Sequence, residues 1–289
     1  MEYYLSQPKA LGEHQFAIID KAFASELVER FPSLDMVSAH LKPQAHLYPA
    51  LISLHELPAS DWQMLLAEIK QQSVDSSTPK VCLFLESLLS AESLCNELAN
   101  ALLISDEKHQ NYLLRYYDPR VLFQLSWMLT PWQLQIYLKT QVVPSWTFWL
   151  DKQWHTLNFS EKINYHKNTP IDLPLAQLHR IGLINQILSK YSPFVSLDER
   201  NILSQQIDSL LLRATEYGLN TNEDIMTFVK QGCSLQCAFW LHHDVQALLK
   251  ISAHNPNYYS RITSSWHDSH WQEIKSHTSI LAFSKGLSR

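Results

Sequence analysis

The chain has five glycines in 289 residues, Gly12, Gly182, Gly218, Gly232 and Gly286, and no two of them lie close together. Glycine ordinarily makes up ~7% of a chain. A loop that cradles phosphate needs several glycines within a few residues, because backbone N–H groups converge on a ligand only where no Cβ obstructs them. This scarcity excludes Walker and Rossmann phosphate sites, and for the same reason a Gly-x-Ser-x-Gly nucleophile elbow; no His-Glu-x-x-His run occurs either.

The most strongly specified local feature is the run LLRYYDPRVLFQLSWML, residues 113–129. Leu113 to Tyr117 reads as a strand. Asp118-Pro119 then supplies a helix start, a carboxylate that can accept backbone N–H bonds followed by proline at the first helical position. Thr130-Pro131-Trp132-Gln133 repeats the device with a threonine cap, so two helices should follow each other across a tight break. Arg115 and Arg120 flank Asp118. Together with the helix N–H groups they should favour its charged form, which makes it a poor general base and a good structural corner. The helix it begins is apolar nearly all round. Val121, Leu122, Leu125, Met128 and Leu129 share one face, and Phe123 and Trp127 form an aromatic pair on another. Such a helix is either enclosed in the core or covered by a partner.

Around this corner the first half alternates short apolar runs with helical patterns, which predicts an α/β (α+β) lobe with a mixed sheet. The expected strands are 16–20 (FAIID), 47–54 (LYPALISL), 81–87 (VCLFLES) and 112–117 (YLLRYY). Ser60-Asp61-Trp62-Gln63 has the form of a capping box ahead of Leu65, Leu66 and Ile69, and 88–103 gives another helix. The stretch 145–159 (SWTFWLDKQWHTLNF) alternates on both sides of Asp151-Lys152 as a hairpin would, although its turn has no glycine. A polar segment with two prolines, 160–174, suits a link between lobes, so the expected domains are 1–165 and 166–289. The second lobe should be all α-helical. Leu203, Ile207, Leu210, Leu211 and Ala214 make one stripe between the box Ser196-x-x-Glu199 and Gly218; Thr221-x-x-Asp224 opens a further helix that Gly232 should close.

With 46% hydrophobic and 18% charged residues the composition is globular. No apolar run approaches the ~20 residues of a membrane span, and the first residues lack a secretory signal pattern, so a cytoplasmic protein is expected. A formal charge of −5 without a Lys/Arg cluster argues against nucleic acid. The four cysteines, Cys82, Cys95, Cys233 and Cys237, sit among apolar neighbours and read as buried thiols.

The Arg115-Tyr116-Tyr117-Asp118-Pro119-Arg120-Val121-Leu122 run, with the FAIID start, Tyr48-Pro49-x-Leu51 and the aromatic hairpin near residue 150, resembles the bacterial effector chaperones of type VI secretion. That family was long known only as a domain of unknown function. The resemblance spans roughly 14–158 and is most specific around Asp118. It implies a cytoplasmic adaptor that holds a secreted effector and helps load it onto the spike protein, without catalysing a reaction or travelling with the cargo; no cofactor and no metal are expected. Arg115, Tyr116, Asp118, Pro119 and Arg120 are its signature here, and Phe123 and Trp127 are the adjoining aromatic candidates for contact with a partner.

Three rival constellations compete with this reading. His179, His243-Asp244 and Asp268 occur in the order of a metal-dependent phosphohydrolase of the His-Asp type, but LHHDVQALL lacks the glycine and basic residue that usually follow the pair. Cys233 and Cys237 with His242 and His243 could bind zinc, yet read more simply as thiols on a packed helix. His267 and His270 suggest a ligand pair, and amphipathic spacing explains them as well. A bacterial interaction protein of another kind, such as a toxin inhibitor, would fit the same fold.

Overall fold

The structure, a computed structural model, describes residues 3–74, 80–159, 164–166, 169–191 and 194–284. The chain separates into two compact units, Met1–His179 and Arg180–Arg289.

The first unit is built on a sheet whose inner strands are buried on both faces and read as continuous apolar runs, while its two edge strands are partly exposed. The strands are β1 (Phe16–Ile19), β2 (Ser33–Asp35), β3 (Ala50–Ser53), β4 (Val81–Glu86), β7 (Ser145–Leu150) and β8 (Gln153–Asn158). Their order is β2-β3-β1-β4-β7-β8, and every pairing is antiparallel. A separate ribbon pairs β5 (Leu103–Ser105) with β6 (Asn111–Leu113). The fold class is therefore the expected α+β unit followed by helices, with an antiparallel sheet. On one face Ala17, Ile19, Ile52 and Phe84 pack with Leu27 of α1 (Ser25–Arg30) and Leu65 and Ile69 of α2 (Ala59–Val74). By the period of two, Ile18, Leu83, Leu85 and Trp146 belong to the opposite face, where α3 (Ala91–Ala101) and α4 (Pro119–Met128) meet the sheet.

Two local expectations in this unit need correction. Of the expected strand 112–117 only Tyr112 and Leu113 pair, because Tyr116 N–H turns back to Leu114 O at 2.8 Å and Asp118 N–H to Arg115 O at 3.0 Å, so the chain turns at Tyr116 and Tyr117. Ser60 is not a cap: α2 already starts at Ala59, and Asp61 and Trp62 donate to Pro58 O. The hairpin forms as expected. Asp151 and Lys152 both take left-handed backbone, φ 52° and 63°, the conformation of a type I′ turn made here without glycine.

Two short helices complete this unit, α5 (Pro131–Tyr137) and α6 (Leu175–Leu178). Residues 166–179 sort with the first unit, where α6 packs against α4 and the His179 ring meets Tyr112 at 5.0 Å. The expected link at 160–174 lies partly outside the described residues, at 160–163 and 167–168.

The second unit is helical: α7 (Ile181–Leu188), α8 (Leu197–Glu216), α9 (Asn222–Leu235), α10 (His243–Ser252), α11 (Tyr258–Thr263) and α12 (Asp268–Ser284). Ser196 and Thr221 cap α8 and α9 by accepting from Glu199 N–H and Asp224 N–H. Gly218, at φ 79°, lets the chain leave α8 with Leu219 N–H on Ala214 O. Gly232 does not close α9, which runs on to Leu235. It is instead where α8 crosses: a Cβ there would meet Leu210 Cδ2 at 2.6 Å. No helix among the described residues is long and apolar enough to cross a membrane.

Candidate functional site

The corner at Asp118 is closed by its own neighbours. Asp118 caps α4: Oδ1 accepts Arg120 N–H at 2.9 Å and Arg120 Nε–H at 2.9 Å, and Oδ2 accepts Nη2–H at 2.6 Å. The guanidinium of the second helical residue thus folds back over the cap in a bidentate pair. Asp118 itself is buried, while half of the Arg120 side chain is open to solvent. The hydrogen bonds that Arg120 donates to Asp118 hold its proton more tightly than usual.

Arg115 does not join this pair, contrary to the expectation that both arginines guard Asp118. Its Nη2 donates to Asp20 Oδ2 at 3.2 Å, and its guanidinium lies 5.4 Å from the centre of the Tyr117 ring. Asp20 directly follows β1 and is buried; its Oδ1 accepts Ala22 N–H at 3.0 Å, and its carbonyl accepts Phe23 N–H and Ala24 N–H. Sequence reasoning missed Asp20 as the partner. The two residues stand 95 positions apart, and only the sheet brings the end of β1 to the turn before α4.

The two tyrosines are pillars. Tyr116 is fully buried, donates its hydroxyl to Leu98 O at 2.8 Å in the last turn of α3, and meets Trp146 edge-on at 5.8 Å. Burial pushes its phenol well above the ordinary range and lifts that of Tyr117 to about 12. Cys82, under the same corner, is raised well above a normal thiol by burial, with Asp20 and Asp118 adding to the effect. Buried without charge, it is inert as a nucleophile.

Phe123 is enclosed, at 0% exposure, and belongs to the core. Trp127 is half-buried and donates Nε1–H to Gln124 Oε1 at 2.8 Å. What the corner does present outward are the two guanidinium stems and Phe23, 48% exposed in the turn that follows Asp20. Pro119 is buried at the first position of α4. Behind the corner Thr130 and Gln133 form a complete capping box: Gln133 N–H on Thr130 Oγ1 at 3.2 Å and Thr130 N–H on Gln133 Oε1 at 2.9 Å.

The residues of the rival constellations each have contacts of their own. His179 lies in the first unit against Tyr112, and Asp268 opens α12 on the wall of a polar cavity of about 590 Å³. Cys233 meets the Tyr191 hydroxyl, and burial raises its thiol. The groups that gather around Asp244 are His242, His243 and His270.

Residues 15–136 match the family model described as a domain of unknown function, DUF4123; the match covers the sheet up to β4 and the Asp118 corner, less than half of the chain. No curated protein and no solved structure matches.

Proposed function

We propose that the protein is a non-enzymatic cytoplasmic adaptor that binds a secreted effector polypeptide and assists its loading onto the spike of a type VI secretion apparatus. One observation carries this reading: the signature that resembles the effector chaperones is spent on architecture. Both oxygens of Asp118 serve Arg120 and the cap of α4, Tyr116 is bonded to Leu98, and Arg115 is bonded to Asp20. A general base needs lone pairs directed at a substrate, and a nucleophile needs an activating partner beside it. The corner offers instead a fixed surface with two guanidinium groups and an aromatic ring, Phe23, at its edge. Arginine and aromatic side chains are the usual anchors of a protein interface.

The test is co-expression with the effector encoded beside the gene. A stoichiometric complex that survives gel filtration is expected, with Phe23→Asp and Arg115→Glu weakening it and leaving the fold intact. Failure to co-purify at any salt concentration would refute the adaptor reading. A toxin inhibitor would be distinguished by neutralising its partner's activity without any association with the spike protein.

A further inference from the structure

We infer that the start of α10 is a zinc-binding site in which His242, His243 and Asp244 are the ligands. Among the described residues, one ligand atom from each of these three lies within 4.8 Å of the others. Nε2 of His243 is 3.1 Å from Asp244 Oδ1, and Nδ1 of His242 is 3.8 Å from Asp244 Oδ2. Ligands on a tetrahedral zinc at 2.0–2.1 Å stand ~3.3 Å apart, so small side-chain rotations bring the set to coordination distance. His243 is 81% exposed and free to make them.

The surroundings are those of a supported site rather than of a chance cluster. A ligating imidazole keeps its place when its second nitrogen is hydrogen-bonded. Nε2 of His242 lies 3.4 Å from His277 Nδ1, with the two rings nearly parallel at 10°. His242 Nδ1 accepts a long bond, 3.3 Å, from Asp244 N–H, which leaves the ring proton on Nε2 facing His277; zinc would take the Nδ1 lone pair in exchange for that long bond. Asp244 is supported as well. Nε2 of His270 lies 3.5 Å from Oδ2, and the His270 ring is held edge-on against Trp266 at 4.6 Å. His270 and His277 are seven residues apart on α12 and share a face, with fully buried Ile274 anchoring the helix between them.

Two imidazoles and one carboxylate suit zinc among the first-row dications. Three protein ligands leave the remaining coordination to water. The positive end of α10 opposes a cation, so the negative charge of Asp244 is indispensable to the site. Bound zinc would tie the start of α10 to α12 through His277.

The full-length chain, purified without a histidine tag and stripped with chelator, is titrated with Zn²⁺ by calorimetry, and with Co²⁺ followed by its visible absorption. One equivalent of Zn²⁺ is expected, together with the absorption of Co²⁺ in a low-symmetry nitrogen and oxygen environment. His243→Ala, at an exposed position, and Asp244→Asn, at a partly exposed one, should abolish binding without loss of helical signal. His277→Ala should weaken it about 10–100-fold. Absence of stoichiometric zinc in the wild-type chain, or retention of that equivalent in either His243→Ala or Asp244→Asn, would overturn the assignment.

Discussion

Asp118 and Asp244 both stand at the start of a helix among basic side chains, one in each unit, and they are held in different ways. Asp118 is 8% exposed and bound by a guanidinium that spends its N–H donors on both oxygens. Asp244 is about 40% exposed and faces imidazoles at 3.1, 3.5 and 3.8 Å. A guanidinium has no lone pair to offer and keeps its proton throughout the physiological range, so the pair it makes is permanent. An imidazole can give up its proton and present a lone pair in its place. The same local sequence logic, an acid in a first helical turn with bases nearby, therefore makes masonry in one unit and a ligand set in the other.

The contrast is tested most severely where the Asp118 corner meets the core. Tyr116→Ala removes a fully buried ring between α3 and β7 and orphans Leu98 O, and should cost about 3–5 kcal/mol in urea unfolding. A loss below about 1 kcal/mol would mean that the corner is not built into the core. Next in size is Asp118→Ala, which should cost about 1–2 kcal/mol through the lost cap. In the presence of chelator, Asp244→Ala should change stability by no more than about 0.5 kcal/mol, as expected of a partly exposed first-turn residue. Equal effects at the two positions would erase the distinction drawn between them.

How much of this was legible in the sequence depends on the range of the interaction. The strands at Phe16, Ala50 and Val81 were readable because burial on both faces leaves continuous apolar runs, and the Asp118 and Thr130 caps because a cap is settled within four residues. The Gly218 exit was local in the same sense. The strand expected at 112–117 failed because Tyr116 and Tyr117 carry β-forming side chains whose burial against Trp146 and Leu98 is satisfied by a turn instead. Gly232 reads as a helix stop, yet its use is tertiary: it makes room for Leu210. The Asp20–Arg115 pair and the approach of His270 and His277 to the start of α10 join distant segments, and no local spacing announces them.

A third effect separates the permanent pair from a titrating site within the same unit. His14 is buried under the sheet, with Nδ1 on the carbonyls of Ala10 and Leu11 and Nε2 2.8 Å from Thr147 Oγ1, which in turn contacts Thr156 at 2.6 Å. Burial lowers its affinity for a proton below the ordinary value of 6.5; the neighbouring carbonyls and Glu86 oppose this shift, and Lys9 adds to it. Because the unfolded chain then binds the proton more readily, the stability His14 contributes is complete above its unfolded value and is lost as pH falls from there through the folded value. Melting temperature should therefore drop from about pH 7 to about pH 5, and the drop should be shallower in His14→Gln. Arg120 does not titrate in that interval, so Asp118→Ala should lower the whole curve without changing its slope. A slope altered by Asp118→Ala and untouched by His14→Gln would reverse the assignment.

Within the corner the smallest effect expected is at Arg115, and it bears on which half of the corner is architectural. Asp20 is buried at 7% and receives Ala22 N–H at 3.0 Å in addition to Arg115, whereas the Arg115 side chain is 47% exposed. Removing the arginine leaves the carboxylate one charge-assisted bond poorer but still able to reach water along the path the side chain occupied. Arg115→Ala should then cost no more than about 1 kcal/mol, the range of a half-exposed ion pair, and the loss should shrink as salt is raised. If the adaptor reading is right, the same substitution acts far more strongly on effector capture than on unfolding, because a guanidinium held at the surface by Asp20 is oriented for a partner. A stability loss as large as that of Asp118→Ala, with capture unchanged, would make Arg115 a second structural pillar and leave Arg120 and Phe23 as the outward elements of the corner.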